Sequence, residues 1–163
     1  MASRQKSTVG GAAARRSTVD FSPGGSIGYV VRDANRAFQR LLERRMAPHG
    51  VTRGQWYFLR VLWEQDGLSQ RELSSRVGMM EPTTVIALRG MEKAGLIRRV
   101  RSADDRRVTK VHLTPKARRL RERLLQVSQS VNDQATEGIE PAEVDRIRRF
   151  VLRMTENLDR AEG

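Results

Sequence analysis

The segment of the chain that is most informative about the fold is residues 68–114, which read LSQRELSSRVGMMEPTTVIALRGMEKAGLIRRVRSADDRRVTKVHLT. Ser69 and Glu72 have the spacing of a capping box, in which each side chain satisfies a free backbone N–H at the start of a helix. This pattern predicts a short helix that ends at the stop signal Gly78. A second helix is predicted to begin at Pro82, because proline suits a first helical turn.

Two short β-prone runs follow the second helix, at residues 96–101 and 108–113, and the charged residues between them predict a β-hairpin with a charged tip. The segment 96–113 contains six basic and two acidic residues. Upstream, Thr52 and Gln55 form another capping box and open a further helix. Three helices followed by a basic hairpin are typical of a winged helix-turn-helix, in which one helix fits the major groove of DNA.

Longer helices are predicted on both sides of this segment. Residues 26–47 carry apolar residues at steps of three and four, which is the signature of one buried face: Ile27, Val30, Val31, Ala34, Phe38, Leu41 and Leu42. A helix that starts at Thr114-Pro115 has an apolar stripe of Leu120, Leu124, Val127 and Val131. The last helix has a narrower seam, which suits packing against a helix of the same chain or of a second subunit: Val144, Ile147, Val151, Met154 and Leu158.

The composition restricts the classes of function. The chain has 163 residues, with 31 Lys and Arg against 19 Asp and Glu, and a formal net charge of +12. This charge favours an acidic partner, of which nucleic acid is the commonest. The absence of cysteine excludes disulfides and thiolate metal sites, and two histidines argue against a His-rich site. No apolar run approaches the roughly 20 residues of a membrane span.

The combined motifs resemble the multiple antibiotic resistance regulator (MarR) family over residues 50–120, and with the flanking helices over 26–160. The matching stretches are LSQREL at 68–73, PTTV at 82–85, MEKAGLI at 91–97, and DRR at 105–107 followed by VHLT at 111–114. The resemblance implies a mainly α fold with a small β-hairpin wing, a winged helix-turn-helix in an interlocked helical homodimer. It also implies double-stranded DNA with a pseudo-palindromic operator as a partner.

The expected organisation has a flexible basic arm at residues 1–25, which lacks any apolar period, and a single MarR-like domain at 26–163. Residues 51–113 would form the DNA-binding lobe, while 26–50 and 114–163 would form the dimerisation helices. An organelle transit peptide is the alternative for the arm, because it is rich in Arg and Ser and poor in acidic residues.

The helix predicted to begin at Pro82 would be the recognition helix, which enters the major groove. Its helical period places Thr84, Leu88 and Met91 inward and Val85, Ile86 and Arg89 outward. By resemblance, Arg107 is the minor-groove arginine of the wing and Asp105 is its partner; an ion pair with a purely structural role is the alternative. Arg101 and Arg106 are expected to contact the DNA backbone, and at most one of Arg98 and Arg99 should face the DNA. The expected DNA-binding residues are Ser69, Arg71, Pro82, Thr83, Val85, Ile86, Arg89, Arg101, Asp105, Arg106 and Arg107.

The sequence departs from the family on this helix. Ile86 stands where relatives often carry a polar or basic base reader, and Gly90 lies in the middle of the helix. An outward isoleucine could contact thymine methyl groups or could mean weak sequence selectivity.

The resemblance also suggests a subunit interface and a ligand crevice. The expected interface residues are Ile27, Val30, Leu120, Leu124, Val127, Val151, Met154 and Leu158. The candidate ligand-binding residues are Arg36, Arg40, His49, Trp56, Tyr57 and Arg60. Arg32, Arg36, Arg40 and Arg44 form a basic stripe on one helix; it would be either an anion site or a solvated face. The helical spacing of Trp56 is also consistent with a position in the core.

We therefore predict a cytoplasmic, sequence-specific transcriptional regulator, a repressor that a small aromatic acid or acyl-CoA releases from DNA. It would have no cofactor, no metal, no catalytic residues and no membrane partner. One alternative is a nonspecific architectural DNA-binding protein, which the high charge and the basic arm permit. The other is a small enzyme that acts on an acidic substrate, although no catalytic constellation is recognisable in the sequence.

Overall fold

The computed structural model describes residues 22–103 and 105–162, so most of the predicted arm at 1–25 lies outside the described residues. The helices are α1 (Ile27–Met46), α2 (Arg53–Glu64), α3 (Gln70–Val77), α4 (Glu81–Lys93), α5 (Pro115–Ala135) and α6 (Pro141–Glu162). The strands are β1 (Leu68–Ser69), β2 (Ile97–Arg101) and β3 (Thr109–Leu113), and short 3-10 turns occupy Pro23–Gly25 and Ala47–His49. Among the described residues, no helix is both long enough and apolar enough to cross a membrane.

The helix starts that the sequence predicts are confirmed because their signals are local. Thr52 and Gln55 form a complete capping box at the start of α2, and Ser69 and Glu72 form one at the start of α3. The hydrogen bonds from Ser69 lower the pKa of the Glu72 carboxyl below its ordinary value. At α5, the Thr114 hydroxyl accepts a hydrogen bond from the backbone N–H of Ala117 at 3.3 Å.

The hairpin of β2 and β3 is also confirmed, but it belongs to a three-stranded antiparallel sheet with the order β1-β3-β2. In this register Val111 of β3 lies opposite Arg99 of β2 and Leu68 of β1. Strand β1 was not predicted from the sequence, because a strand of two residues shows no alternation. Gly67 precedes it with φ of +77°, and a Cβ at this position would lie 2.9 Å from Cε1 of His112.

The described residues divide after Asn35 into two units, and the boundary falls within α1. In the first unit, Arg32 contacts the neighbouring Asp33 at 3.2 Å and lies over the ring of Tyr29. The second unit contains one apolar core, whose largest fully buried side chains include Trp56, Phe58, Met46, Leu59, Leu62, Leu73, Leu88, Met91 and Leu124.

A single chain does not bury the whole apolar face that the sequence predicts on α1. Only Leu42 and Met46 are buried on this helix, whereas Ile27, Val30, Val31 and Phe38 are exposed. Helix α6 has no fully buried residue, although Val144 and Met154 are half-buried. The periodic patterns are real, but the surface that would cover them is not supplied by the described part of the same chain.

Candidate nucleic-acid interface

The turn between α3 and α4 is held by a buried polar contact. Thr84, Leu88 and Met91 of α4 are buried, which confirms the predicted inward face. The Thr84 hydroxyl donates a hydrogen bond to Oγ of Ser74 at 3.1 Å, and the Ser74 hydroxyl donates one to the carbonyl oxygen of Met79. These bonds join α3 and α4 on the buried side of α4.

We expect the substitution Ser74→Ala to lower the free energy of unfolding by about 1–3 kcal/mol, because it leaves the buried Thr84 hydroxyl without its acceptor. Urea denaturation would measure the loss. Ser75→Ala is the matched control, since Ser75 is exposed on the same helix and gains the same helix propensity. Equal stability of the two variants would contradict the structural role of Ser74.

The outward side of α4 contains most of the residues that the sequence analysis placed there. Pro82, Thr83, Ile86 and Arg89 are exposed, and Val85 is half-buried. Ile86 is 71% exposed, and the preceding Met80, at the N-cap of α4, is 77% exposed. Helix α4 thus presents an apolar centre with hydroxyl and guanidinium groups around it.

A surface cleft of about 320 Å³ brings three of the predicted residues together. Ser69 and Arg71 come from the start of α3, and Arg107 comes from the hairpin. Glu81, the first residue of α4, also lines the cleft, and its Oε1 lies 3.9 Å from Nε of Arg71. Glu81 was not predicted from the sequence, because an acidic first-turn residue is ordinary in a helix and nothing local places it beside Arg71.

The hairpin tip holds Arg107 in a defined direction. The Asp105 carboxylate accepts hydrogen bonds from the backbone N–H of Arg107 at 2.9 Å and from its Nε at 3.3 Å. The Arg107 side chain is nevertheless 92% exposed, so its two terminal nitrogens face solvent. The predicted contact between Asp105 and Arg107 is therefore confirmed. Arg101 and Arg106 are exposed on the same hairpin.

Arg98 and Arg99 of β2 differ in their contacts, as the alternation of side chains along a strand predicts. Nη2 of Arg99 lies 2.6 Å from the Glu92 carboxylate of α4, and this hydrogen bond lowers the pKa of Glu92. Arg98 is exposed. Arg99 thus joins the sheet to α4, which leaves Arg98 as the one of the two that can face a partner.

The candidate ligand residues are brought together only in part. Trp56 and Arg60 line a cleft of about 410 Å³ with residues of α5, namely Leu125, Gln126, Ser128, Gln129 and Asn132. The Arg60 guanidinium lies 5.8 Å from the Trp56 ring centre. Trp56 is only 2% exposed, so it is mainly a core residue.

The remaining four candidates, Arg36, Arg40, His49 and Tyr57, do not line that cleft. Arg36 and Arg40 are exposed on α1, Tyr57 is exposed on α2, and His49 is half-buried in the turn after α1. The polar residues of α5 were missed by sequence reasoning, because amide side chains on an exposed helix face carry no distinctive pattern.

The predicted interface residues also separate into groups. Ile27, Val30, Val151 and Leu158 are exposed, whereas Leu120, Val127 and Met154 are half-buried. The structure places Leu124 instead in the core of its own chain, where it has no exposed surface to offer a partner. Leu124 and Val131 of the apolar stripe on α5 thus pack into the core of this chain.

Comparison with known proteins agrees with this geometry. Residues 51–109 match the MarR family. The HTH-type transcriptional regulator TtmR of Methylorubrum extorquens is 37% identical over 93 residues, which are 57% of this chain and 48% of TtmR. This chain therefore matches about half the length of that curated relative.

Solved structures resemble most of the chain. A MarR transcriptional regulator from Methanosarcina mazei has a TM-score of 0.74 at 26% identity, covering 80% of this chain and 94% of its own. A probable transcriptional regulator from Pseudomonas aeruginosa gives 0.74 at 29%, covering 79% and 96%. The transcriptional repressor CouR, solved bound to a 23-mer DNA duplex, gives 0.76 at 26%, covering 81% and 94%.

Proposed function

We propose, on the premise that residues 51–109 match the MarR family, that this chain is a transcriptional regulator that binds double-stranded DNA. The observation that carries the proposal is the exposed Arg107, which Asp105 orients in the same cleft as the start of α3 and α4. A helix of the size of α4 fits the major groove, and a hairpin arginine beside it reaches the neighbouring minor groove. The resemblance to CouR supports this reading, since that repressor was solved on DNA.

The side chains of the proposed interface divide into two roles. Thr83, Val85, Ile86 and Arg89 on α4, with Pro82 at its start, would meet base edges. Phosphate contacts would come from the exposed side chains of Arg71, Arg101 and Arg106 and from the half-buried Ser69. Phosphate contacts position the protein on DNA, while base contacts give it sequence preference.

We propose further that the protein acts as a homodimer. The exposed apolar side chains of α1 and α6 support this, because a second subunit would remove them from water. Residues 26–50 and 114–163 would then carry the dimer contacts, and residues 51–113 would form the DNA-binding lobe. Two recognition helices about 34–36 Å apart would enter successive major grooves of a pseudo-palindromic operator.

A small ligand would control DNA binding in this proposal. The cleft beside Trp56 and Arg60 is of the size of ordinary ligand sites, and Arg60 with the α5 amides suits a carboxylate. A ligand that binds better to a conformer with wrongly spaced recognition helices weakens DNA binding. The coupling free energy between the ligand site and the DNA site is typically about 1–3 kcal/mol. Such a protein would be a repressor that works in the cytoplasm, where its DNA lies.

A nonspecific architectural protein is the second candidate, and the net charge of +12 favours it. The two DNA-binding candidates differ in sequence preference, which is directly measurable.

The test is selection of duplexes from a random-sequence pool by the purified full chain, followed by comparison of a selected duplex with its shuffled version. The comparison is made at about 0.15 M salt, because low salt exaggerates charge-driven binding. A preference of about a thousandfold or more is expected for a regulator that reads an operator. Equal affinity would identify the architectural protein instead.

Arg107→Ala is expected to weaken binding to the selected duplex by about 1–3 kcal/mol, because the oriented guanidinium would read the groove. Its effect on the shuffled duplex should be much smaller. Arg106→Ala is the matched control on the same tip, and a phosphate contact there predicts similar weakening of both duplexes. Fluorescence anisotropy titrations would measure all four combinations, and the same pattern for both variants would remove the special role of Arg107.

A further inference from the structure

An apolar surface lies at the most outward point of α4. Thr84, the centre of the buried face, and Ile86 are two residues apart, which separates them by about 200° around the helix axis. Ile86 is 71% exposed and Met80 is 77% exposed. Single exposed apolar residues are ordinary on protein surfaces, so the position of Ile86 opposite the buried face, and not its exposure alone, is what needs an explanation.

Gly90 lies one turn after Ile86 on the same side of α4. A Cβ at this position would meet nothing within 4 Å, and the backbone does not have a positive φ. Neither packing within the described chain nor backbone conformation therefore requires glycine here, although glycine destabilises the middle of a helix relative to alanine. A bare backbone at an open site is expected where another surface must approach closely.

Met80, immediately before α4, is another exposed apolar position that helix stability does not favour. It is the N-cap residue of α4, and its side chain makes no capping hydrogen bond. Ser, Thr, Asp or Asn at an N-cap would satisfy a free backbone N–H of the first turn. Ile86 and Gly90 together make the outward side of α4 apolar and shallow at the expense of the helix itself.

The charges around this surface indicate its partner. Arg71 and Arg89 are exposed beside it, and Arg107 extends from the hairpin into the cleft shared with Arg71. This basic surround favours a polyanion over an apolar protein surface. Within the major groove of DNA, the one apolar group that a base edge offers is the C5-methyl of thymine.

Resting on the function proposed above, we propose that Ile86 is a specificity-determining residue that packs against thymine methyl groups. Gly90 lets α4 sit deep enough in the major groove for this contact. Sequence preference at this point of the site thus depends on methyl groups and not on hydrogen bonds to the bases. Each methyl contact is worth about threefold to fivefold in affinity, from the burial of one carbon group.

The decisive experiment replaces every thymine of a selected duplex by deoxyuridine, which removes the methyl groups and retains base pairing. With one contact in each half-site, the full chain is expected to bind the uracil duplex about tenfold more weakly than the thymine duplex. Ile86→Ala is expected to bind the thymine duplex about tenfold more weakly and to lose the difference between the two duplexes. Arg107→Ala is the matched control, since it should bind more weakly but retain the ratio.

Gly90→Ala provides a second test, in which protein stability and DNA binding are expected to change in opposite directions. Alanine should raise the denaturation midpoint of the protein, because it favours the helix, and should weaken binding to the selected duplex by holding α4 away from the groove. A more stable protein that binds as tightly as the original would overturn the role of Gly90. If the midpoint rises as expected, a loss of binding is not a folding defect.

Equal affinity of the original protein for thymine and uracil duplexes would overturn the proposal, as would an unchanged ratio in Ile86→Ala. Either result leaves the proposed regulator intact, provided that the selected duplex is still preferred over its shuffled version. If the random pool yields no enriched sequence at all, the proposed function fails, and the reading of thymine fails with it.

Discussion

Replacing Phe58 by alanine is expected to lower the free energy of unfolding by about 3–5 kcal/mol. Phe58 is 0% exposed in α2, the helix that also contributes Leu59 and Leu62 to the core. Its ring is among the largest fully buried side chains of the chain, so truncation loses both the transfer free energy of the ring and the contacts around it. Because the whole stability of a domain is about 5–15 kcal/mol, such a loss brings it close to the unfolding threshold.

Urea denaturation followed by far-UV circular dichroism would measure this loss. The control is Tyr57→Ala, which truncates an adjacent aromatic side chain that is exposed on the same helix. Both variants must be compared at one protein concentration, because association of subunits contributes to apparent stability. A loss for Phe58→Ala no larger than that for Tyr57→Ala would mean that the core does not depend on this ring.

Replacing Val151 by glutamate is expected to weaken the proposed dimer by about 3 kcal/mol or more, which is over a hundredfold in its dissociation constant. Val151 belongs to the exposed apolar seam of α6 with Ile147 and Leu158. In a two-fold interface the same substitution enters from both subunits, so two carboxylates would lose their water at once. The helix itself should tolerate the change, because glutamate is a better helix former than valine.

Leu152→Glu is the matched control for this substitution. Leu152 is also exposed on α6, but it lies about 100° around the helix from Val151 and off the seam. Sedimentation equilibrium would give both dissociation constants, and duplex binding should weaken together with dimerisation. If both variants remain dimers, or both dissociate equally, the seam does not form the subunit interface.

Much of the segment from α2 to the hairpin was predictable from the sequence, because the residues that determine its structure lie close together in the chain. The capping boxes at Thr52 and Ser69 join residues three apart, and they place the starts of α2 and α3. The inward face of α4 follows from the period of the helix alone. Asp105 and Arg107 are two residues apart, so their contact could also be anticipated from the hairpin tip.

Other features depend on residues that are far apart in the chain. Strand β1 exists because Leu68 pairs with Val111, and the cleft at α3 includes Glu81 only because α4 begins beside Arg71. Trp56 and Arg60 meet the amides of α5 in the same way, across more than sixty residues of sequence. No local pattern specifies these contacts.

The clearest difference between what the sequence determines and what the tertiary structure decides concerns burial. The sequence alone determined that α1, α5 and α6 each have an apolar side, because helical periodicity is a local property. Only the tertiary structure decided what covers each side: the core of the chain covers Leu124 of α5, while most of the apolar side of α1 and the seam of α6 remain exposed. The physical reason is that burial requires a second surface, and the position of that surface is set by the packing of the whole chain.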